Sequence, residues 1–334
     1  MANRQTEAIL VTGGRGFIGR WLVRHLVERD GRVTVISVDK SPTSEASADA
    51  DHIELEADVR DRTKLREIFE QFAISTVFDL ASITDVNLPR SEYLANAEMT
   101  KSMVECVSRV DVTKYIFYSS QFVFRKEGTL PANDQDFYPI DDYGESKIRS
   151  EQLIRSSLPE DRWLVLRPTY IWGEGNSRFR DGFLYRLAKG QLLVPPSGTL
   201  LRYYGYVATI CRQTAALAQR PFTELPTRTF YLSDKPINMR TFCEYFVSAF
   251  GKGRAWPVPS PVLRSLGRIG DCTEAFGISF PIRGLQADEM TRIYPIPLDP
   301  TFTVAPSSTN YQRAAASVVT WALSDPEFSR RIGR

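Results

Sequence analysis

Residues 9 to 19 read Ile-Leu-Val-Thr-Gly-Gly-Arg-Gly-Phe-Ile-Gly, a short apolar segment that runs through glycines into a helical pattern. Ile9 to Val11 have the character of a buried strand, and Ile18, Leu22, Val23, Leu26 and Val27 recur at helical spacing. The glycines therefore occupy a strand-to-helix turn, where backbone N–H groups without neighbouring side chains can approach phosphate oxygens at the positive end of a helix. Gly14-x-Gly16-x-x-Gly19 alone fits any glycine-rich turn. The strand before it and the helix after it make it a dinucleotide-binding turn.

The same alternation continues down the chain. A turn at Asp30-Gly31 leads to a strand over residues 33–38 that ends at Asp39, and a further strand spans residues 52–57. Asp61 is placed to cap a helix carrying Leu65, Ile68, Phe69 and Phe72. Strands then follow at 76–81, 114–119 and 163–167, with helices at 91–110 and 143–157 between them. Strict alternation predicts an α/β fold with a doubly wound parallel sheet covered by helices on both faces. Beyond Pro168 prolines become dense and the helical pieces, 209–218 and 239–250, are separated by irregular stretches. The reading is a cofactor domain over residues 1–168 and a smaller mixed α/β substrate lobe over 169–334, with the chain free to cross between them. Residues 295–310 are expected to form a loop anchored by Tyr294, Ile296 and Phe302.

Composition narrows the chemistry. A formal charge of +2 over 334 residues gives no reason to expect nucleic acid or a membrane surface as partner. The first seven residues are polar, and no apolar run approaches the roughly 18 residues of a membrane span, so a soluble cytoplasmic protein is expected. Cys106, Cys211, Cys243 and Cys272 are scattered, which indicates neither a disulfide framework nor a zinc site. His25 and His52 are the only histidines, too few for a histidine metal centre or triad, and no metal is expected. Acid–base chemistry then falls to tyrosine, lysine or carboxylates.

In a doubly wound sheet, ligands sit outside the carboxyl ends of the strands. Asp39 stands there about 20 residues beyond Gly19, suited to the adenosine ribose hydroxyls of NAD; a plain turn aspartate is the alternative. Lys40 beside it leaves NADP open. Asp58 suits either an adenine edge or a helix-capping turn. The strand ending in Ser119-Ser120 is followed by Tyr143-Gly-Glu-Ser-Lys147. Tyrosine and lysine four apart share a helix face, and a nearby ammonium is expected to lower the phenol's pKa toward neutrality. Tyr143 would then exchange a proton with a substrate hydroxyl that Ser120 holds by a hydrogen bond. Tyr231 and Lys235 have the same spacing, but Pro236 follows and the segment before them is strand-like, so they need not face one another.

These residues together resemble the extended short-chain dehydrogenase/reductase family, specifically its nucleotide-sugar epimerase, dehydratase and reductase branch, which has a Rossmann fold. Thr12 to Gly19 is similar to the family's Thr-Gly-x-x-Gly-Phe-Ile-Gly loop, which re-phases the glycines as Gly13, Gly16 and Gly19, followed in the helix by Phe17 and Ile18 contacts. Asp58-Val59 resembles the adenine-contacting segment and Leu80-Ala81-Ser82 the fourth-strand Leu-Ala-Ala, with Ser82 in place of alanine. Asn96 matches the family's helix asparagine, although Met99 stands where glycine is common. Residues 119–124 resemble Ser-Ser-x-x-Val-Tyr, Tyr143 and Lys147 the catalytic pair, and Arg167-Pro168 to Gly173 the segment beside the nicotinamide.

The resemblance implies an NAD enzyme with Ser120, Tyr143 and Lys147 as its catalytic set, and Ser120, Gln121, Tyr170 and Arg202 on the substrate side. Gln121 and Phe122 replace the Asp-Glu pair of the 4,6-dehydratases, which argues against water elimination. Tyr170 replaces an asparagine that touches the substrate diphosphate in several epimerases. Residues 198–207 resemble the segment whose arginine binds that diphosphate, pointing to Arg202, with Tyr203, Ala208 and Thr209 departing from its acidic end. The expected activity is epimerisation of a nucleotide-sugar through a transient keto intermediate. Alternatives are a dehydrogenase or reductase of a sugar, sterol-like or other secondary alcohol, and a dinucleotide sensor without turnover. A homodimer joined through two helices per subunit is implied by the resemblance.

Overall fold

The structure is a computed structural model that describes residues 7–30, 33–41, 51–85, 88–196, 200–274, 276–277, 280 and 282–333. The Gly31 end of the expected turn, and Gly198 and Thr199 of the expected diphosphate segment, lie outside the described residues. The first half is built from β1 (Ala8–Thr12), α1 (Phe17–Asp30), β2 (Thr34–Asp39), β3 (His52–Glu56), α2 (Arg62–Gln71), β4 (Ile74–Asp79), α3 (Arg90–Val107), β5 (Lys114–Tyr118), α4 (Asp142–Ser157) and β6 (Trp163–Pro168). Each expected strand and helix of this half is present, and Asp61 caps α2 by accepting from the N–H groups of Thr63 and Lys64. The remainder runs β7 (Tyr170–Trp172), a π-helical turn Phe179–Leu184, α5 (Tyr185–Ala188), β8 (Leu192–Val194), β9 (Leu201–Arg202), β10 (Tyr204–Tyr206), α6 (Val207–Gln219), β11 (Thr229–Leu232), β12 (Ile237–Asn238), α7 (Met239–Phe250), β13 (Ala255–Pro257), α8 (Ser260–Glu274), α9 (Gly284–Thr291), α10 (Asp299–Val304), α11 (Tyr311–Leu323) and α12 (Pro326–Arg331).

Seven parallel strands form the main sheet in the order β11-β6-β5-β4-β1-β2-β3. The strand order reverses between β1 and β4, which opens the crevice that binds ligands in doubly wound sheets. Apolar residues on both faces of the strands build two cores, one with α2 and α3 (Leu65, Met103, Val107) and one with α1 and α6 (Leu22, Leu26, Ile210). Burial on both faces is why these strands read as continuous apolar runs. The chain crosses residue 168 and returns: β11 pairs with β6, Thr229 opposite Val165 and Leu232 opposite Pro168. A third core joins α5, α7, α11 and α12 around Trp172, Phe242 and Phe246.

The stretch 295–310 departs from the expected loop. Asp299-Pro300 opens α10, with Pro at the first turn where its missing N–H costs nothing, and Thr301 Oγ1 donates to Tyr231 O at 2.7 Å. Ile296 and Leu298 are buried against Tyr231 and Phe302 packs beside them, so two of the three expected anchors hold this segment.

A close backbone approach marks the glycine turn. Gly13 has φ +66, and a Cβ on Gly19 would stand 2.1 Å from the Gly13 carbonyl oxygen. Gly19→Ala is expected to push α1 off the turn and destabilise the protein by about 1–3 kcal/mol; an unchanged denaturant midpoint would show that the turn has room.

Candidate active site

The cofactor side is organised by Asp79 at the end of β4. Its carboxylate is fully enclosed and accepts from Thr12 Oγ1 (2.6 Å) and Tyr115 Oη (2.5 Å), while Thr12 Oγ1 accepts the N–H groups of Leu80 and Ala81 at 3.0 Å each. The ends of β1 and β4 are thereby tied together at the crevice, and both to Tyr115 near the start of β5. Burial pushes Asp79 upward, opposed by these two hydroxyls and by Lys147. Asn96 of α3 closes the next layer: its Oδ1 accepts from Ile83 N (2.7 Å) and Ser82 Oγ (3.2 Å), and its Nδ2 donates to Ser146 Oγ of α4 at 3.1 Å.

The turn itself is a cradle of backbone, with Gly16 N donating to Gly13 O at 3.0 Å and Phe17 and Ile18 opening α1. Asp39 faces it from the end of β2: Oδ2 accepts from Arg15 N (3.1 Å) and Oδ1 from Ser41 N (3.0 Å). The Arg15 guanidinium lies across this end of the sheet, paired with Glu54 of β3 at 3.0 Å and donating to Ser41 O. Asp58 and the buried Val59 stand past the end of β3, and the Arg60 side chain, 2.6 Å away, holds Asp58 below its ordinary range. Pro168 ends β6. A backbone cradle that side chains would fill, with the Asp39 carboxylate beside it at the end of β2, fits NAD.

The reactive side lies where β5 ends and α4 begins. Ser120 is buried and its Oγ accepts Phe122 N at 3.2 Å. The Tyr143 hydroxyl meets the hydroxyls of Ser120 and Ser82. Its ring is held edge-on between Tyr93 (6.1 Å) and Phe122 (6.2 Å). Lys147 Nζ donates to Tyr118 O at 2.8 Å and lies 4.8 Å from the Phe117 ring centroid and 6.0 Å from that of Tyr143. The expectation of a lowered Tyr143 pKa is corrected here. Burial pushes the phenol up, Asp141 adds to the rise, and the groups that oppose it are the hydroxyls of Ser120 and Ser82. Burial also drives Lys147 down, to about 8, against the pull of Asp79 and Glu151.

Behind this set sits a pair that sequence reading passed over. Glu151 and Arg167 are both wholly buried and joined by two hydrogen bonds, Nε to Oε1 at 2.9 Å and Nη2 to Oε2 at 2.6 Å. Ser119 Oγ adds a third to Glu151 at 2.5 Å, and Arg167 reaches Tyr231 Oη at 3.1 Å. The signal was present: Tyr143, Lys147 and Glu151 are spaced by four and share one helix face.

On the substrate side, Gln121 is buried, and Tyr170 is half-exposed and edge-on to Tyr204 at 6.0 Å. Arg202 is almost enclosed; its terminal nitrogens donate to the backbone oxygens of Met290 and Arg292, and its Nε has no partner. Among the described residues, no carboxylate pairs with it. No helix among them is long and apolar enough to cross a membrane, and no cluster of three metal-ligating side chains occurs.

A parallel doubly wound sheet, a glycine cradle at its switch point and a Ser-Tyr-Lys set at the neighbouring strand end define an NAD-dependent enzyme of the extended short-chain dehydrogenase/reductase type. The model of the NAD dependent epimerase/dehydratase family matches residues 9–232, and the chain belongs to that family. It is 27% identical over 318 residues to the 3 beta-hydroxysteroid dehydrogenase/Delta 5-->4-isomerase of Mycobacterium tuberculosis (strain ATCC 25618 / H37Rv), covering 89% of this chain and 83% of that one. It is 30% identical over 179 residues to the UDP-glucose 4-epimerase of Neisseria meningitidis serogroup C, covering 49% and 52%. The fold superposes on UDP-glucuronic acid 4-epimerase from Bacillus cereus in complex with NAD with a TM-score of 0.71, at 15% identity over 96% of this chain and 98% of that one.

The depressed Lys147 makes stability depend on pH. In the unfolded chain this lysine titrates near 10.5 and in the folded protein near 8. Between the two the unfolded state binds more protons, so the site's contribution to stability rises with pH across that window. Lys147→Met removes the titration, so the unfolding free energy of wild type minus variant should grow from about pH 7.5 to about pH 10. A difference flat with pH would show that Lys147 keeps its ordinary pKa.

Proposed function

We propose that this protein is an NAD-dependent epimerase of a nucleotide-activated sugar. Ser120, Tyr143 and Lys147 supply the proton chemistry. The observation that supports a nucleotide-sugar over another alcohol is Arg202, a buried guanidinium with an unused N–H and no carboxylate partner among the described residues. A diphosphate matches that need in charge and geometry.

Ser120 Oγ and Tyr143 Oη converge on one point, where a secondary hydroxyl of the sugar is held by two hydrogen bonds. Tyr143 takes the hydroxyl proton as the carbon is oxidised and returns it when the keto group is reduced. The Lys147 ammonium, anchored on Tyr118 O, lies 6.0 Å from the Tyr143 ring centroid, one turn further along the same face of α4. NAD, when bound, accepts the hydride from the sugar carbon and gives it back. Inversion requires the second delivery on the opposite face, so the sugar ring turns over while its diphosphate end stays anchored at Arg202. Tyr170 and Tyr204, set edge-on to one another, offer the ring aromatic surface rather than a fixed polar contact.

A second reading, oxidation of a sterol-like or other apolar secondary alcohol, draws on the hydroxysteroid dehydrogenase that matches most of the chain. Product analysis separates the two. The epimerase should interconvert two sugar epimers with no added cofactor, whereas stoichiometric reduction of added NAD would favour the dehydrogenase. Tyr143→Phe should lower turnover by roughly a hundredfold or more while leaving NAD affinity unchanged; a wild-type rate in that variant would remove Tyr143 from the mechanism. In this reading the enzyme is a cytoplasmic homodimer joined through two helices per subunit. Light scattering of the purified protein at the mass of one chain would refute the dimer.

A further inference from the structure

Arg125 lies four residues past Gln121 and three past Phe122, outside every role assigned so far. It is 5% exposed, and its guanidinium stacks 3.7 Å from the Tyr294 ring centroid and 5.2 Å from that of Phe122, the ring that packs on catalytic Tyr143. One terminal nitrogen pairs with Glu289 of α9, and its Nε is buried without a partner. Arg202 has the same unfilled Nε and donates to the carbonyls of Met290 and Arg292, on the segment that carries Glu289. Arg125 and Glu289 both act electrostatically on Arg202. Two buried guanidiniums therefore share the field of one carboxylate, each with an N–H left over. Leaving such a donor unmade in a buried site is costly, and an anion with several oxygens is the partner that would satisfy both.

We propose that Arg125 is a second arginine of the diphosphate site, joined to Arg202, and that Glu289 holds Arg125 as a stand-in for a phosphate oxygen. The proposal rests on the nucleotide-sugar reading above. It adds an exchange: a diphosphate arriving between the arginines takes Arg125 from Glu289, which frees α9 from its tie to the strand-end segment bearing Ser120. Glu289 then acts as an internal competitor, setting a threshold that a neutral or singly charged ligand does not meet. A free nucleoside or an apolar alcohol has nothing to offer Arg125.

Calorimetric titration of the full-length, NAD-loaded protein with UDP, GDP, CDP and dTDP, and with uridine as the uncharged control, tests this. Arg125→Met should raise the dissociation constant of whichever diphosphate binds by about tenfold or more, with NAD affinity unchanged. Arg125→Lys should fall between the two because it keeps the charge and loses the fork. Glu289→Gln should tighten the same diphosphate several-fold. Wild-type affinity in Arg125→Met, or weaker binding in Glu289→Gln, overturns the proposal and leaves the nucleotide-sugar reading standing. Failure of the wild-type protein to bind any of the four diphosphates overturns both. Should Arg125→Met not fold, Glu289→Gln decides alone: tightening supports the exchange, and unchanged or weaker binding refutes it.

Discussion

The Glu151–Arg167 pair is the contact on which the active site depends. It joins α4 to β6 in a place with no access to water, through two parallel hydrogen bonds of the kind that fixes both distance and plane. Desolvating two charges offsets most of their attraction, so the pair contributes little net stability; losing one partner, however, leaves a buried unpaired charge that costs about 3–5 kcal/mol. That asymmetry makes it a register device. With Glu151 fixed, Lys147 and Tyr143 are fixed one and two turns away on the same face of α4. With Ser119 Oγ on the same carboxylate, the end of β5 and hence Ser120 are set against that face.

The same enclosure shapes the proton chemistry. Lys147 is held between two buried acids, Asp79 and Glu151, that partly restore what burial takes away. Tyr143 has only hydroxyl neighbours on its side of the balance, Ser120 and the Ser82 that stands where alanine is usual in the family. The phenol of the protein alone is therefore a weaker acid than free tyrosine. The site as folded is set to hold a proton on that oxygen, and lowering it falls to whatever positive charge enters the crevice with its ligands.

What could be read from the sequence was local. The glycine turn, Asp61 as a cap and the four-residue spacing of Tyr143 and Lys147 each depend on neighbours within a turn or two, and periodicity reports such geometry directly. Partners chosen across the fold were not legible. Periodicity places Glu151 on the reactive face of α4, but only tertiary packing reveals that Arg167 meets it. Asp79 looks like an ordinary strand-end residue until Thr12 and Tyr115 converge on it from strands far apart in sequence. The seventh strand escaped for the same reason: Thr229–Leu232 is short and strand-like, and its place beside β6 depends on pairing across the fold, with Phe230 and Leu232 buried in the core that α1 and α6 share. The raised phenol also follows from burial, which spacing does not encode. An ammonium four residues away lowers a pKa only as far as the dehydrated surroundings allow.

Arg202 was legible as a residue and misleading as a geometry. Its segment pointed to an anion, yet in the folded chain its terminal nitrogens are spent on two backbone carbonyls at the C-terminal end of α9. Those carbonyls orient the guanidinium without neutralising it, since neutral oxygens carry no compensating charge, and burial depresses its basicity accordingly. A guanidinium stripped of water and given only dipoles is poised to gain more from an incoming anion than an exposed one, because the desolvation has already been met by folding.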